Sequence, residues 1–185
     1  MSHRMGVLVL ALALASGLGS AVQAAESQKA RTQALPTVSA DDIDLWAFST
    51  VSASVSAKTV AEFRAIPNLA SESKDDLRGL KEDNAEAQAS YGPVGYRFTY
   101  SDGLDLRVLD YGESAFVTRM RLSGADRVVK DEVKIGGPRS GIEAALGRPS
   151  RGGGSYAVYE GKNDVVRVFY TPTGLISAVE VDRGG

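Results

Sequence analysis

The chain has 185 residues, 43% of them hydrophobic and 24% charged, with a formal net charge of -2. That size and hydrophobicity suit one ordinary domain or two small ones with a core, and exclude a disordered or fibrous chain. The near-neutral balance gives no global pull toward nucleic acid or an anionic membrane. With no cysteine, disulfides, thiolate catalysis and cysteine-ligated metal centres are excluded.

Residues 1–24 read as a secretory signal peptide. Arg4 supplies the positive start, Met5 to Leu18 is an uncharged apolar run, and Val22-Gln23-Ala24 places small residues at a cleavage position. The run is shorter than the roughly 20 residues that cross a bilayer, so a cleaved signal is expected rather than an anchor. The expected location is periplasmic or secreted, in a bacterium. The single histidine, His3, lies within this segment. The mature chain would then hold neither imidazole nor thiol, which removes Ser-His-Asp, Cys-His and His-zinc chemistry and leaves carboxylates, Lys, Tyr, Ser and Thr.

Residues 25–38 form a polar lead-in, expected to be flexible. Two modules are expected beyond it, 39–124 and 125–185. From 25 to 90 there are 7 Lys and Arg against 11 Asp and Glu; from 91 to 185 there are 13 against 12, and all seven tyrosines lie there. Asp41, Asp42 and Asp44 lack the spacing of an EF-hand loop and read as the solvated start of a helix or strand. A short helix is expected from Lys58 to Ile66, with Val60 and Phe63 inward and Pro67 ending it. A more exposed helix is expected within Ser73 to Gln88, as an insertion near 71–90. Ser71-Glu72-Ser73-Lys74 matches the Ser-x-x-Lys signature of penicillin-recognising enzymes, but the companion Lys-Thr-Gly element is missing, so these serines read as a helix cap.

Alternation then predicts strands over Tyr96–Tyr100, Leu104–Val108 and Phe116–Leu122, with turns at Ser101-Asp102-Gly103 and Tyr111-Gly112-Glu113. A second short helix runs from Pro138 to a Gly147 stop, with Ile142, Ala145 and Leu146 on one face. Gly152-Gly153-Gly154-Ser155 lacks the lysine of a phosphate-binding loop and reads as a connector. Strands over Tyr156–Tyr159, Val165–Tyr170 and Leu175–Val181 complete the chain. Val51 to Pro67 aligns without gaps with Val133 to Pro149, Tyr96 matches Tyr156, and Arg107-Val108 matches Arg167-Val168. The fold expected is α+β: short helices packed on one face of an antiparallel meander sheet, as a single module or as two in tandem.

The string Ile135-Gly136-Gly137, Ile142, Leu146-Gly147-Arg148-Pro149, Tyr156, Phe169, Gly174-Leu175-Ile176 resembles the helix-plus-sheet module of β-lactamase-inhibitor proteins and of the SmpA/OmlA outer-membrane assembly lipoproteins. That likeness covers about fifty residues, and a second fifty through the repeat. It implies a cell-envelope binding module, in the inhibitors one that uses the open face of a tandem sheet. The lipidated cysteine of the lipoproteins is missing here, and no family's contact residues match by position.

Strand alternation turns Leu106, Val108, Met120, Leu122, Val166, Val168, Val179 and Val181 inward, and Arg107, Arg119, Arg121, Arg167, Phe169 and Glu180 outward. Arginine with aromatics is the composition of protein-interface anchors; cross-strand charge pairing on a wet sheet face is the competing account. The expected function is a non-catalytic exported module that binds another protein through this face, as an inhibitor, an immunity-type antagonist or an envelope-assembly accessory. No cofactor, metal site, nucleic acid or membrane span is expected. The alternatives are a small carboxylate-based hydrolase of envelope polymers and a structural domain without a tight partner.

Overall fold

The computed structural model describes residues 35–75 and 93–184. Helix α1, Ala40–Ser54, begins where Ser39 and Asp42 exchange hydrogen bonds: the Asp42 N–H donates to Ser39 Oγ at 3.2 Å, and the Ser39 N–H donates to the Asp42 carboxylate at 3.1 Å. This capping box satisfies two otherwise unpaired donors, and Asp41 and Asp42 sit favourably at the positive end of the helix. Ile43, Trp46, Ala47, Thr50 and Val51 form its buried stripe. The Thr50 hydroxyl, also buried, donates back to the Trp46 carbonyl at 2.8 Å.

Helix α2, Val60–Ala65, is capped by Thr59 and buries Val60 and Phe63. The Phe63 ring stacks on Phe98 with centroids 5.7 Å apart, and its carbonyl accepts the Tyr100 hydroxyl at 2.7 Å. Helix α3 spans Arg139–Leu146 and buries Ile142 and Leu146. It ends at Gly147, whose φ of +69° favours glycine and whose Cα faces the Pro36 carbonyl and Val38. The end of the expected lead-in therefore packs against the helix stop.

Ten strands follow in chain order: β1 Leu69–Asp75, β2 Val94–Tyr100, β3 Leu104–Asp110, β4 Ala115–Leu122, β5 Val128–Lys130, β6 Val133–Lys134, β7 Arg151–Gly152, β8 Tyr156–Glu160, β9 Asp164–Tyr170 and β10 Ile176–Arg183. β5 and β6 make a separate hairpin that sends Val129 and Val133 into the core. The other eight form one antiparallel sheet in the order β1-β2-β3-β4-β10-β9-β8-β7. The pattern of a short helix followed by four strands thus occurs twice, and the two meanders join through their last strands, with Leu122 opposite Val179 and Arg119 opposite Asp182.

All three helices lie on one face of this sheet. The inward positions expected from alternation are buried to 1% exposure or less, and they share the core cluster with Trp46, Phe63, Ile142 and Leu146. The expected α+β architecture is the one observed. No helix of the described residues is long and apolar enough to cross a membrane.

Three expectations are corrected. Ser71 and Ser73 belong to strand β1, not to a helix cap, because the segment pairs along its length with β2, Ser73 opposite Arg97 and Lys74 opposite Tyr96. The helix expected from Ser73 therefore does not begin there, and its remainder beyond Asp75 lies outside the described residues. The repeat alignment holds for Val60 with Ile142, both inward on a helix, and for Val108 with Val168, both inward on a third strand. It slips elsewhere: the cross-strand partner of Val108 is Tyr96 but that of Val168 is Ala157, one residue past Tyr156. Upstream, Val51 is helical while Val133 is in β6.

Candidate functional site

The sheet face away from the helices carries Arg107, Arg119, Arg121, Arg167, Phe169 and Glu180, as strand alternation requires. Cross-strand register arranges them in two adjacent rows. In one, Arg97, Arg107, Arg119 and Asp182 follow each other across β2, β3, β4 and β10. In the next, Thr99, Asp105, Arg121, Glu180 and Arg167 run across β2, β3, β4, β10 and β9.

A β-bulge makes the first row line up on β4. Val108 pairs with Val117 and Arg107 with Arg119, so Thr118 is the additional residue. Phe116 and Arg119 then face the same side although three positions apart. The Thr118 hydroxyl donates to the Arg107 carbonyl at 3.3 Å, which fastens the bulge.

The charges interlock. Arg119 forks onto Asp182, with Nε at 3.2 Å and Nη2 at 2.7 Å. Arg167 reaches both Glu180 at 3.0 Å and Asp182 at 2.9 Å. Arg121 sits 3.6 Å from Glu180 and lies over the Phe169 ring, 4.8 Å from its centroid. Arg97 reaches Asp105 at 2.7 Å, and Arg151 reaches Glu160 at 2.9 Å. Partial burial works against the Asp182 charge, but hydrogen bonds from Arg119 and Arg167 outweigh it and hold the carboxyl below its ordinary value.

Cross-strand pairing is thus a large part of why these residues are here. It is not the whole account. Val158 and Ala178, the cross-strand partners of Arg167 and Phe169, are only 4% and 1% exposed although no described helix covers them. Val158 and Ala178 are thus small apolar positions buried on this face. At the opposite corner, Phe116 and Tyr111 meet edge to face with centroids 5.7 Å apart, and both are more than half exposed.

Among the described residues, Asp44 and Asp164 are two acids near enough for one charge to act on the other. Burial raises Asp164, with Arg183 opposing that rise and the Asp44 charge adding to it. Burial likewise works against Asp44, yet N–H donors from Asp164, Asn163 and Lys162 hold it below its ordinary value. Carboxyls pushed in opposite directions are the pattern of an acid–base pair. Here the Asp44 oxygens are occupied by Asn163 N, Asn163 Nδ2 and Asp164 N at 3.0–3.3 Å, and they clasp the β8–β9 turn onto α1. Neither acid lines either of two surface grooves of about 580 and 550 Å³. Sequence reasoning took Asp44 for a solvated acid; nothing local marks a contact to a turn 119 residues away.

One other juxtaposition escaped the sequence. Lys130 Nζ lies 2.5 Å from Ser49 Oγ in the second groove. The Ser49 hydroxyl bonds its own helix, to the Leu45 carbonyl at 2.7 Å and the Trp46 carbonyl at 3.0 Å, while Lys130 sits over the Trp46 ring. This is a helix back-bond with an ammonium laid across an indole. Among the described residues no group of three or more His, Asp or Glu is arranged to hold a metal ion. Compared with known protein families, curated proteins and solved structures, the chain matches none.

Proposed function

We propose that the protein is an exported, non-catalytic module that binds another protein of the bacterial envelope through the outer sheet face. The observation that carries this reading is the face itself: eight strands wide, uncovered by any described helix, and carrying aromatics beside arginines held in register by acids. Arginine and aromatic side chains supply most anchors at protein interfaces, and a face already held in one arrangement loses little entropy on binding. The described residues contain no histidine or cysteine, and the Asp44 carboxylate, whose charge adds to the rise of Asp164, is bound into a structural clasp. The likeness to inhibitor proteins that use an open tandem sheet points the same way, by analogy of fold.

The test is site-specific photo-crosslinking in the envelope of an expressing bacterium. A benzophenone amino acid replaces Phe116 or Phe169 on the face, or, as control, Val128 on the β5–β6 hairpin, which is 61% exposed. Adducts with another polypeptide from positions 116 or 169, and none from 128, support the reading. Absence of adducts from both face positions overturns it.

A further inference from the structure

Resting on that reading, we infer that the partner sets a basic, arginine-bearing segment of its chain onto the corner formed by Tyr111, Phe116 and Glu113, a guanidinium stacked on a ring beside the carboxylate. The molecule already uses this arrangement within itself. Arg121 lies over the Phe169 ring at 4.8 Å and stands 3.6 Å from Glu180. Arg139 lies over the Tyr170 ring at 4.9 Å and stands 2.7 Å from Glu143. Arg64 on Tyr96 and Arg183 on Phe48 are paired in the same way, with Glu72 at 2.6 Å and Asp164 at 3.7 Å. A planar guanidinium can hold a ring against its face and a carboxylate at its edge together.

The corner has rings and an acid but lacks the cation. Tyr111 and Phe116 are 57% and 56% exposed and meet edge to face, and no described cation lies over either ring. From Val108 to Thr118 the chain carries Asp110 and Glu113 and no Lys or Arg. Asp110 accepts the Gly112 N–H at 2.9 Å, and the Tyr111 N–H donates to the Ser114 carbonyl at 2.9 Å, which together close the β3–β4 turn. Glu113, exposed at the tip of that turn, makes no hydrogen bond or ion pair to a described residue. Arg119, the next outward side chain on β4, is engaged with Asp182. A turn closed by its own bonds presents the rings ready-made, so docking loses little order there. Leu109, opposite Phe116, extends the apolar floor. Charge complementarity therefore selects a basic segment, whereas an acidic one or a phosphate backbone would be repelled by the turn.

The adduct from position 116 provides the test, since the benzophenone retains a phenyl ring there. The crosslinked partner peptide, sequenced by mass spectrometry, should carry arginine beside the adducted residue. Adduct yield should fall about tenfold in Glu113→Lys and less in Glu113→Gln, as attraction turns to repulsion or is merely lost. It should fall about threefold in Tyr111→Leu, which keeps apolar bulk but removes the ring. In isolated envelopes, added poly-L-arginine should lower the yield and poly-L-glutamate should not. Thermal unfolding of the three variants should match wild type. An adduct from 116 whose peptide lacks arginine, or whose yield ignores Glu113→Lys, overturns the inference while leaving the binding reading in place. So do adducts from 169 alone, and adducts from 116 to nucleic acid or to this chain itself. Silence at both 116 and 169 removes the reading beneath it.

Discussion

Asp182 and Asp164 are two residues of similar setting whose titrations act in opposite senses. Asp182 is held below its ordinary value of 3.8 by the arginines beside it, so the charged form stabilises the fold. That contribution is intact above the ordinary value and is lost as pH falls through the depressed one. Asp164 is raised, chiefly by burial, so its charge opposes folding, and the protein gains as the group protonates on acidification. Thermal melts from pH 7 to pH 3 should show the advantage of wild type over Asp182→Asn shrinking, while wild type gains relative to Asp164→Asn. At pH 7 Asp182→Asn should cost about 1–2 kcal/mol, because it removes the charge and one of the two accepting oxygens that Arg119 and Arg167 use. The same geometry guides how the face is probed. Reversing Arg119 or Arg167 would set an acid against Asp182 and confuse lost binding with lost folding.

At the scale of elements, glycine shows where the backbone is constrained. Gly103, with φ of +88°, turns β2 into β3, and a Cβ there would be driven into the backbone of Gly124. Gly141 lies within α3 with nothing near the Cβ it lacks. Gly103→Ala should lower stability by about 2 kcal/mol or more, from strain at a position L residues avoid together with the clash. Gly141→Ala should raise it by about 0.5–1 kcal/mol. Urea unfolding of the two variants separates these outcomes. Most elements were legible in the sequence because period-2 alternation and terminal signals agreed: the six long strands from β2 onward, and α2 and α3 with their Pro and Gly stops. β1 was not, because Leu69–Asp75 is an edge strand of mostly polar residues with no alternation to read. Edge strands rich in charge also resist pairing with other chains, so the feature that hid β1 protects the sheet. α1 was read only as an acidic start, since its Ser39–Asp42 box was not recognised as a cap.

For the whole molecule, the decisive joint is the one between β4 and β10, where the two meanders become one sheet. The strands around it are covered by α1 and by each other, whereas β7 is two exposed residues at an edge. Amide hydrogen exchange should be slowest in β4, β9 and β10 and fastest in β7. Which strands neighbour each other inside each half follows from the short turns between them. The joining of β4 to β10 does not, because their residues lie some sixty apart and no local signal pairs them. The candidate face was legible for the same reason the core was: alternation fixes both sides of a strand at once. The aromatic corner at Tyr111 and Phe116 was not foreseen, because the bulge shifts β4 out of simple alternation.

The extra residue at that bulge has a wider significance. Excising Thr118 leaves Ala115-Phe116-Val117-Arg119-Met120-Arg121-Leu122, an uninterrupted in–out pattern that keeps Val117 and Met120 in the interior. The shortened chain should still fold cooperatively, with a change in melting temperature of a few degrees, yet with a straighter strand and a less coiled outer surface. Loss of crosslinking in such a deletion, with every charge and aromatic ring retained, would make curvature itself the specificity determinant. The contour of the surface would then be inherited from a single inserted amino acid.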